Sequence, residues 1–143
     1  MNTVSLPNEI MLAEVARLLA EGHSVELRTK GSSMLPFIVG ERDSVRLVRK
    51  PFAAGDMVLA KTSTGAWALH RVVSVENGRV TLKGDGNLRG TETAAEEDVA
   101  GVVEAILRPR GREFMPSARR AARWNALPYI VRRFYLAIYR RIV

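Results

Sequence analysis

The 143-residue chain contains no cysteine, which removes disulfide frameworks, thiolate zinc sites and thiol nucleophiles together. Any nucleophile in it is an oxygen or an amine. Histidine is scarce, with two in the chain, so an imidazole base has only His23 or His70 to draw on. Long apolar runs are missing as well. The opening stretch MNTVSLPNEIMLAEVARLLAEGH has no basic leader and interrupts its apolar residues with Glu9, Glu14, Arg17 and Glu21, so it reads as neither a signal peptide nor a membrane span. The expected location is the cytoplasm. Acidic residues nearly vanish from one end. Residues 1–107 carry 12 Lys+Arg against 14 Asp+Glu, a net of −2, whereas residues 108–143 carry 10 Arg, no Lys and only Glu113, a net of +9. A solvated charged face is the plain explanation of such a run, and the pattern within it decides whether more is needed.

At 47% hydrophobic residues, a chain of this length buries roughly two-thirds of its unfolded surface, enough for one compact domain with small appendages. Three zones follow along it. Pro7 suits a helix start, and Ile10, Met11, Ala13, Val15, Leu18 and Leu19 recur at near-helical spacing until Gly22, predicting an amphipathic helix of about four turns. Residues 24–107 read as strands at Val25–Thr29, Ser44–Val48, Met57–Lys61, Trp67–Val75, Arg79–Lys83 and Val99–Leu107, separated by turn residues. Glu76-Asn77-Gly78-Arg79 is the clearest hairpin, because Asn-Gly supplies the positive φ values of a two-residue turn. The expected fold is mainly β, of α+β type: a small, partly open antiparallel barrel or ribbon with an N-terminal helix. Residues 1–107 form this domain and residues 108–143 an Arg-rich helical tail.

In the tail, Pro116 and Ser117 introduce a short helix through Ala126, and Pro128 starts another that runs to the end. At helical spacing Val131, Phe134, Tyr135, Ile138 and Ile142 share one side, with Arg132, Arg133, Arg140 and Arg141 opposite. Two uses compete for such a basic amphipathic helix. It docks on the domain with its arginines in water, or it lies in an anionic membrane surface with the arginines at headgroup level. Trp124, Arg132, Arg133, Phe134, Tyr135, Arg140 and Arg141 are the candidate contacts to membrane or partner. Nucleic acid ranks last, because no reading-helix motif accompanies the basic patch.

Between two strand-like runs stands Gly31-Ser32-Ser33-Met34-Leu35-Pro36, where small and hydroxyl residues do little for a core. Downstream, His70 lies inside a strand and Gly84-Asp85-Gly86-Asn87 forms a turn one hairpin later. Singly, each has a plain structural explanation: a turn serine, a packed histidine, a common turn composition. Together they offer an oxygen nucleophile, an imidazole base and a carboxylate to orient it. His23 follows Gly22 at a helix end and is explained there.

The ordered segments GSSMLP, GDMVLAK, LHRVVSV, LKGDGN and EDVAGVV, spread over residues 29–106, resemble the boxes of the signal peptidase I and LexA-like serine peptidase superfamily. The resemblance implies a mostly antiparallel β fold without cofactor or metal, whose serine just before the Met attacks a peptide carbonyl. That serine is Ser33, flanked by Ser32, Met34 and Pro36 as oxyanion and substrate contacts. Where the bacterial enzymes place a lysine base before an arginine, this chain has His70-Arg71, as in the archaeal and endoplasmic-reticulum branch. A histidine titrates near 6.5 and accepts a serine proton without the burial a lysine base requires. Asp85 in the Lys-Gly-Asp-x-Asn box is the first choice to orient it. The family's second carboxylate falls on Thr91, with Glu92 adjacent, so the third member stays open between Asp85 and Glu92. The serine that often assists the oxyanion two residues upstream is Gly31 here, which leaves backbone N–H groups for that task. The expected activity is serine endopeptidase cleavage of a peptide or protein after small residues. The alternatives are an inactive peptide-binding relative, or a membrane- or nucleic-acid-binding regulator acting through the tail.

Overall fold

The computed structural model describes residues 9–88, 90–116 and 118–142, without the side chains of Ala118 and Ile142. Pro7 and Ser117, expected at helix starts, lie outside the described residues, as does the side chain of Ile142. The chain runs α1 (Glu9–Ala20), β1 (Val25–Arg28), β2 (Ser44–Val48), β3 (Met57–Lys61), β4 (Trp67–Glu76), β5 (Arg79–Lys83), β6 (Glu92–Ala95), β7 (Val99–Arg108), β8 (Arg112–Phe114), α2 (Ala118–Ala126) and α3 (Tyr129–Ile142). All strands join one antiparallel, curled sheet in the order β1-β2-β7-β3-β4-β5-β6, with β8 paired to β7. The fold is a small β-rich α+β architecture, as composition and punctuation predict.

The six predicted strands are present, and two more join them. β6 reads Glu-Thr-Ala-Ala and β8 reads Arg-Glu-Phe. Both are short and poor in β-branched residues, and neither alternates polar with apolar, so only their neighbours make them strands. Since β8 extends the same sheet, the tail zone begins inside the β structure rather than after it. The β4–β5 hairpin closes at Asn77 (φ 51°) and Gly78 (φ 75°), the two positive dihedrals a tight twisted hairpin demands.

Strand patterning follows position in the sheet. On edge strand β1, Val25 and Leu27 are buried while Glu26 and Arg28 alternate outward. Central β3 is buried at Met57, Val58, Leu59 and Ala60, because apolar layers cover both its faces. Val15 and Leu19 of α1 pack with Leu27, Leu47, Met57, Leu59 and Ile106 on one face. On the other, Val58 and Ala60 meet Val72, Val80, Leu82 and Val102. A third cluster joins the tail to the loop between β1 and β2: Ala121, Trp124 and Leu136 against Leu35, Phe37 and Val39. Each such fully buried aliphatic side chain contributes roughly 1.5–3 kcal/mol of transfer free energy, so the tail helices are an integral layer of the molecule.

Candidate active site

Ser33 sits in the long loop between β1 and β2, and that loop is tied at its base. Thr29 donates from both its N–H (3.0 Å) and its hydroxyl (2.8 Å) to the Asp43 carbonyl. The Asp43 carboxylate, fully buried, accepts from the Val39 N–H at 2.8 Å and from Arg42 Nε at 2.7 Å. Its hydrogen bond holds the Arg42 guanidinium above its ordinary pKa, against the opposing effect of burial. Within the loop, Leu35 N–H donates to the Ser32 carbonyl (3.2 Å) and Ile38 N–H to that of Met34 (3.0 Å); the Leu35–Pro36 peptide is cis.

The Gly84-Asp85-Gly86 turn is zipped onto this loop. Gly86 N–H donates to the Ser33 carbonyl at 2.7 Å, and Asp85 N–H points at Met34 Sδ at 3.4 Å. Two glycines permit the approach. A Cβ at Gly86 would lie 2.4 Å from the Ser32 carbonyl oxygen, and one at Gly84 would lie 2.4 Å from that of Ser33 and 3.2 Å from His70 Cδ2. One small atom would therefore touch both the Ser33 backbone and the ring edge of His70 next to Nε2. Two residues 37 positions apart are brought to one place by a turn whose glycine positions have no room for a Cβ.

His70, 7% exposed on β4, faces Glu92 from β6, whose Oε1 meets Nδ1. A carboxylate at Nδ1 selects the tautomer with the proton on that nitrogen and leaves the Nε2 lone pair free to accept one. Ser33, Met34, His70 and Glu92 line a common cleft of about 300 Å³, walled by Leu12, Leu27, Ile38, Leu59, Trp67 and Leu69. Among the described residues no hydrogen bond joins Ser33 Oγ to His70, so the two are apposed but not engaged; catalytic contacts are often loose before substrate arrives.

Asp85 is not the partner of His70. Its carboxylate, 1% exposed, accepts from Arg71 Nε (2.8 Å) and Nη2 (2.6 Å) and from Asn125 Nδ2 (3.2 Å). Arg71 Nη1 also donates to the Gly55 carbonyl at 2.6 Å, and its guanidinium lies over the Phe37 ring, 5.6 Å from the centroid. The physical reason is strand alternation. His70 and Arg71 are consecutive on β4 and point to opposite faces, and Asp85 lies on the arginine's side. Glu92 owes its position to pairing, because β6 aligns it with Leu82 of β5, from where its side chain reaches the imidazole.

The flanking residues divide. Met34 lines the cleft and is 4% exposed, whereas Ser32 and Pro36 are half-buried and stand outside its lining. The tail contacts divide as well. Trp124 is not open to a membrane or partner: it is 6% exposed and donates Nε1–H to the Asp85 carbonyl at 2.8 Å, with Tyr135 edge-on at 5.7 Å. Arg132 is half-buried, and Arg140 reaches the Gly86 carbonyl at 3.4 Å. Arg133, Phe134, Tyr135 and Arg141 remain exposed. Sequence reasoning missed the Asp43 tie and the brace from Trp124 and Asn125. The brace joins segments about 40 positions apart, and the Asp43 tie depends on how its loop closes.

No protein-family model matches the chain, and no curated protein matches it. Among the described residues no helix is long and apolar enough to cross a membrane, and no cluster of His, Asp and Glu is arranged to hold a metal ion.

Proposed function

We propose that the protein is a serine endopeptidase of the signal-peptidase and LexA-like type, cleaving a peptide or protein after small residues. The observation that carries this reading is the shared cleft, in which a Glu92-bound imidazole and the Ser33 loop meet across the Gly84 turn. Ser33 Oγ attacks the scissile carbonyl carbon while His70 Nε2 takes its proton. The proton then passes to the departing amine as the C–N bond breaks, and water releases the acyl group from Ser33 by the same route. Glu92 holds the imidazole and stabilises the imidazolium, the role first given to Asp85. Backbone N–H groups around Ser33 face the developing oxyanion, each such donor contributing about 2.7–4 kcal/mol at the transition state.

An extended substrate fits beside the open edge of the sheet, where residues 28–31 at the end of β1 border the cleft. Main-chain pairing there supplies affinity, and the small volume selects small side chains. A fluorophosphonate probe tests the proposal: it labels the wild-type chain and Ser32→Ala, and fails on Ser33→Ala. Equal labelling of Ser33→Ala overturns it. A second reading, a peptide-binding module without turnover, draws on the absent Ser33–His70 hydrogen bond. It predicts no labelling of the wild type and retained peptide binding in Ser33→Ala.

A further inference from the structure

Of the two uses open to the last helix, docking on the domain through its apolar side is not the one it adopts. Among the described residues of α3, Leu136 is the fully buried one, and it packs with Trp124 and the loop that carries Ser33. In a helix, residues three or four positions from Leu136 share its side and residues two or five positions away lie opposite. Arg132, Tyr139 and Arg140 therefore belong to the side toward the domain, where Arg132 and Tyr139 are half-buried and Arg140 reaches the Gly86 carbonyl; Val131, Phe134 and Ile138 belong to the side away from it, and Arg133 is exposed at the flank between. The exposures agree: Phe134 is 68%, Ile138 45%, Val131 44% and the neighbouring Ile130 74% exposed. A helix that docks through Leu136 and Tyr139 and still turns Val131, Phe134 and Ile138 to water has a partner for that stripe.

Charge identifies the partner. Residues 114–143 contain seven arginines and no Asp or Glu. A second copy of the chain would set two such clusters against each other, and a nucleic acid would neutralise the arginines yet leave Phe134 and Ile138 in water. An anionic lipid surface satisfies both halves, with apolar side chains entering the acyl boundary and arginines meeting headgroups. We propose that α3 is an interfacial docking helix for anionic membranes, with Ile130, Val131, Phe134 and Ile138 inserted and Arg133 and Arg141 at the phosphates. The Trp124 and Leu136 contacts then hold the bound helix rigidly to the Ser33 loop, so the cleft takes a fixed orientation to the bilayer. The inference is independent of the peptidase reading and is testable on Ser33→Ala.

Co-sedimentation of the full chain with vesicles decides it. The wild type and Ser33→Ala bind phosphatidylcholine vesicles containing phosphatidylglycerol, do not bind pure phosphatidylcholine, and release as salt is raised toward 1 M, where screening shortens to about 3 Å. Phe134→Ser/Ile138→Ser and, separately, Arg133→Gln/Arg141→Gln each weaken binding by about tenfold or more. All four positions are exposed, so both variants keep the wild-type circular dichroism. Absent binding to the anionic vesicles overturns the proposal, as does binding that neither variant changes. So does concentration-dependent self-association abolished by Phe134→Ser/Ile138→Ser without vesicle binding, which would assign the stripe to a second copy.

Discussion

His70–Glu92 and Arg71–Asp85 begin from adjacent residues of one strand and end in opposite circumstances. The first pair borders an open cleft, with the Glu92 side chain 34% exposed; the second is closed in, with Asp85 at 1%. In the closed pair the donors of Arg71 reach the Asp85 carboxylate or the Gly55 carbonyl, and Asn125 adds another to the carboxylate. Such an arrangement commits the carboxylate to the guanidinium and the amide that close around it. The imidazole is held by Glu92 at Nδ1, which leaves Nε2 for the proton transfer proposed above. Two acid–base pairs of similar appearance thus differ in what they leave unsatisfied, and that remainder separates a clamp from a site.

The largest effect expected from testing this contrast is on stability. Arg71→Met strands the buried Asp85 carboxylate and lowers unfolding free energy by about 3–5 kcal/mol, measured by urea denaturation. Arg71→Met/Asp85→Leu removes both charges and recovers part of that loss. A smaller loss for the single variant than for the double would contradict the clamp. Glu92→Gln comes next and acts on rate. Its amide oxygen still accepts from Nδ1–H but carries no charge, so acylation of Ser33 by a fluorophosphonate slows by about 100-fold, while the melting temperature moves little. An unchanged rate would remove Glu92 from the site. The smallest effect joins the two regions. Trp124→Phe keeps most of the packing and deletes the indole N–H, leaving the Asp85 carbonyl short of a donor, which costs about 1–3 kcal/mol in a thermal melt.

Much of the fold is legible along the chain. Strand alternation at Val25–Arg28, the Asn77-Gly78 turn and the i, i+3, i+4 pattern before Gly22 are local signals, and the strands, hairpin and helix stand where those signals put them. β6 has no such signal, because Glu-Thr-Ala-Ala becomes a strand only beside β5. The same gap hid the geometry of Glu92. From sequence, both Asp85 and Glu92 lay at plausible distances from His70, and the nearer match to the turn motif favoured Asp85. Which carboxylate meets the imidazole depends on the face of β4 each one reaches, and that is a property of register.

The tail shows the same limit. Its amphipathic pattern is plain, and the pattern leaves open whether the apolar side packs on the domain or lies in a membrane surface. Leu136 packs on the domain instead of that side, with Tyr139 beside it, against a cluster of Leu35, Phe37, Val39 and Trp124 drawn from the loop and the preceding helix.

By itself the sequence determined the groups available: no thiol, two adjacent serines in a Gly-Ser-Ser-Met stretch between strands, one strand histidine, and a basic end almost without acids. Those follow from residue identity and from spacings that act over a few residues. Only the tertiary structure decided which acid holds the histidine, which is locked against Arg71, and which side of the last helix faces outward. Each of those turns on segments distant in the chain meeting across a sheet, where a shift of one residue exchanges its two faces.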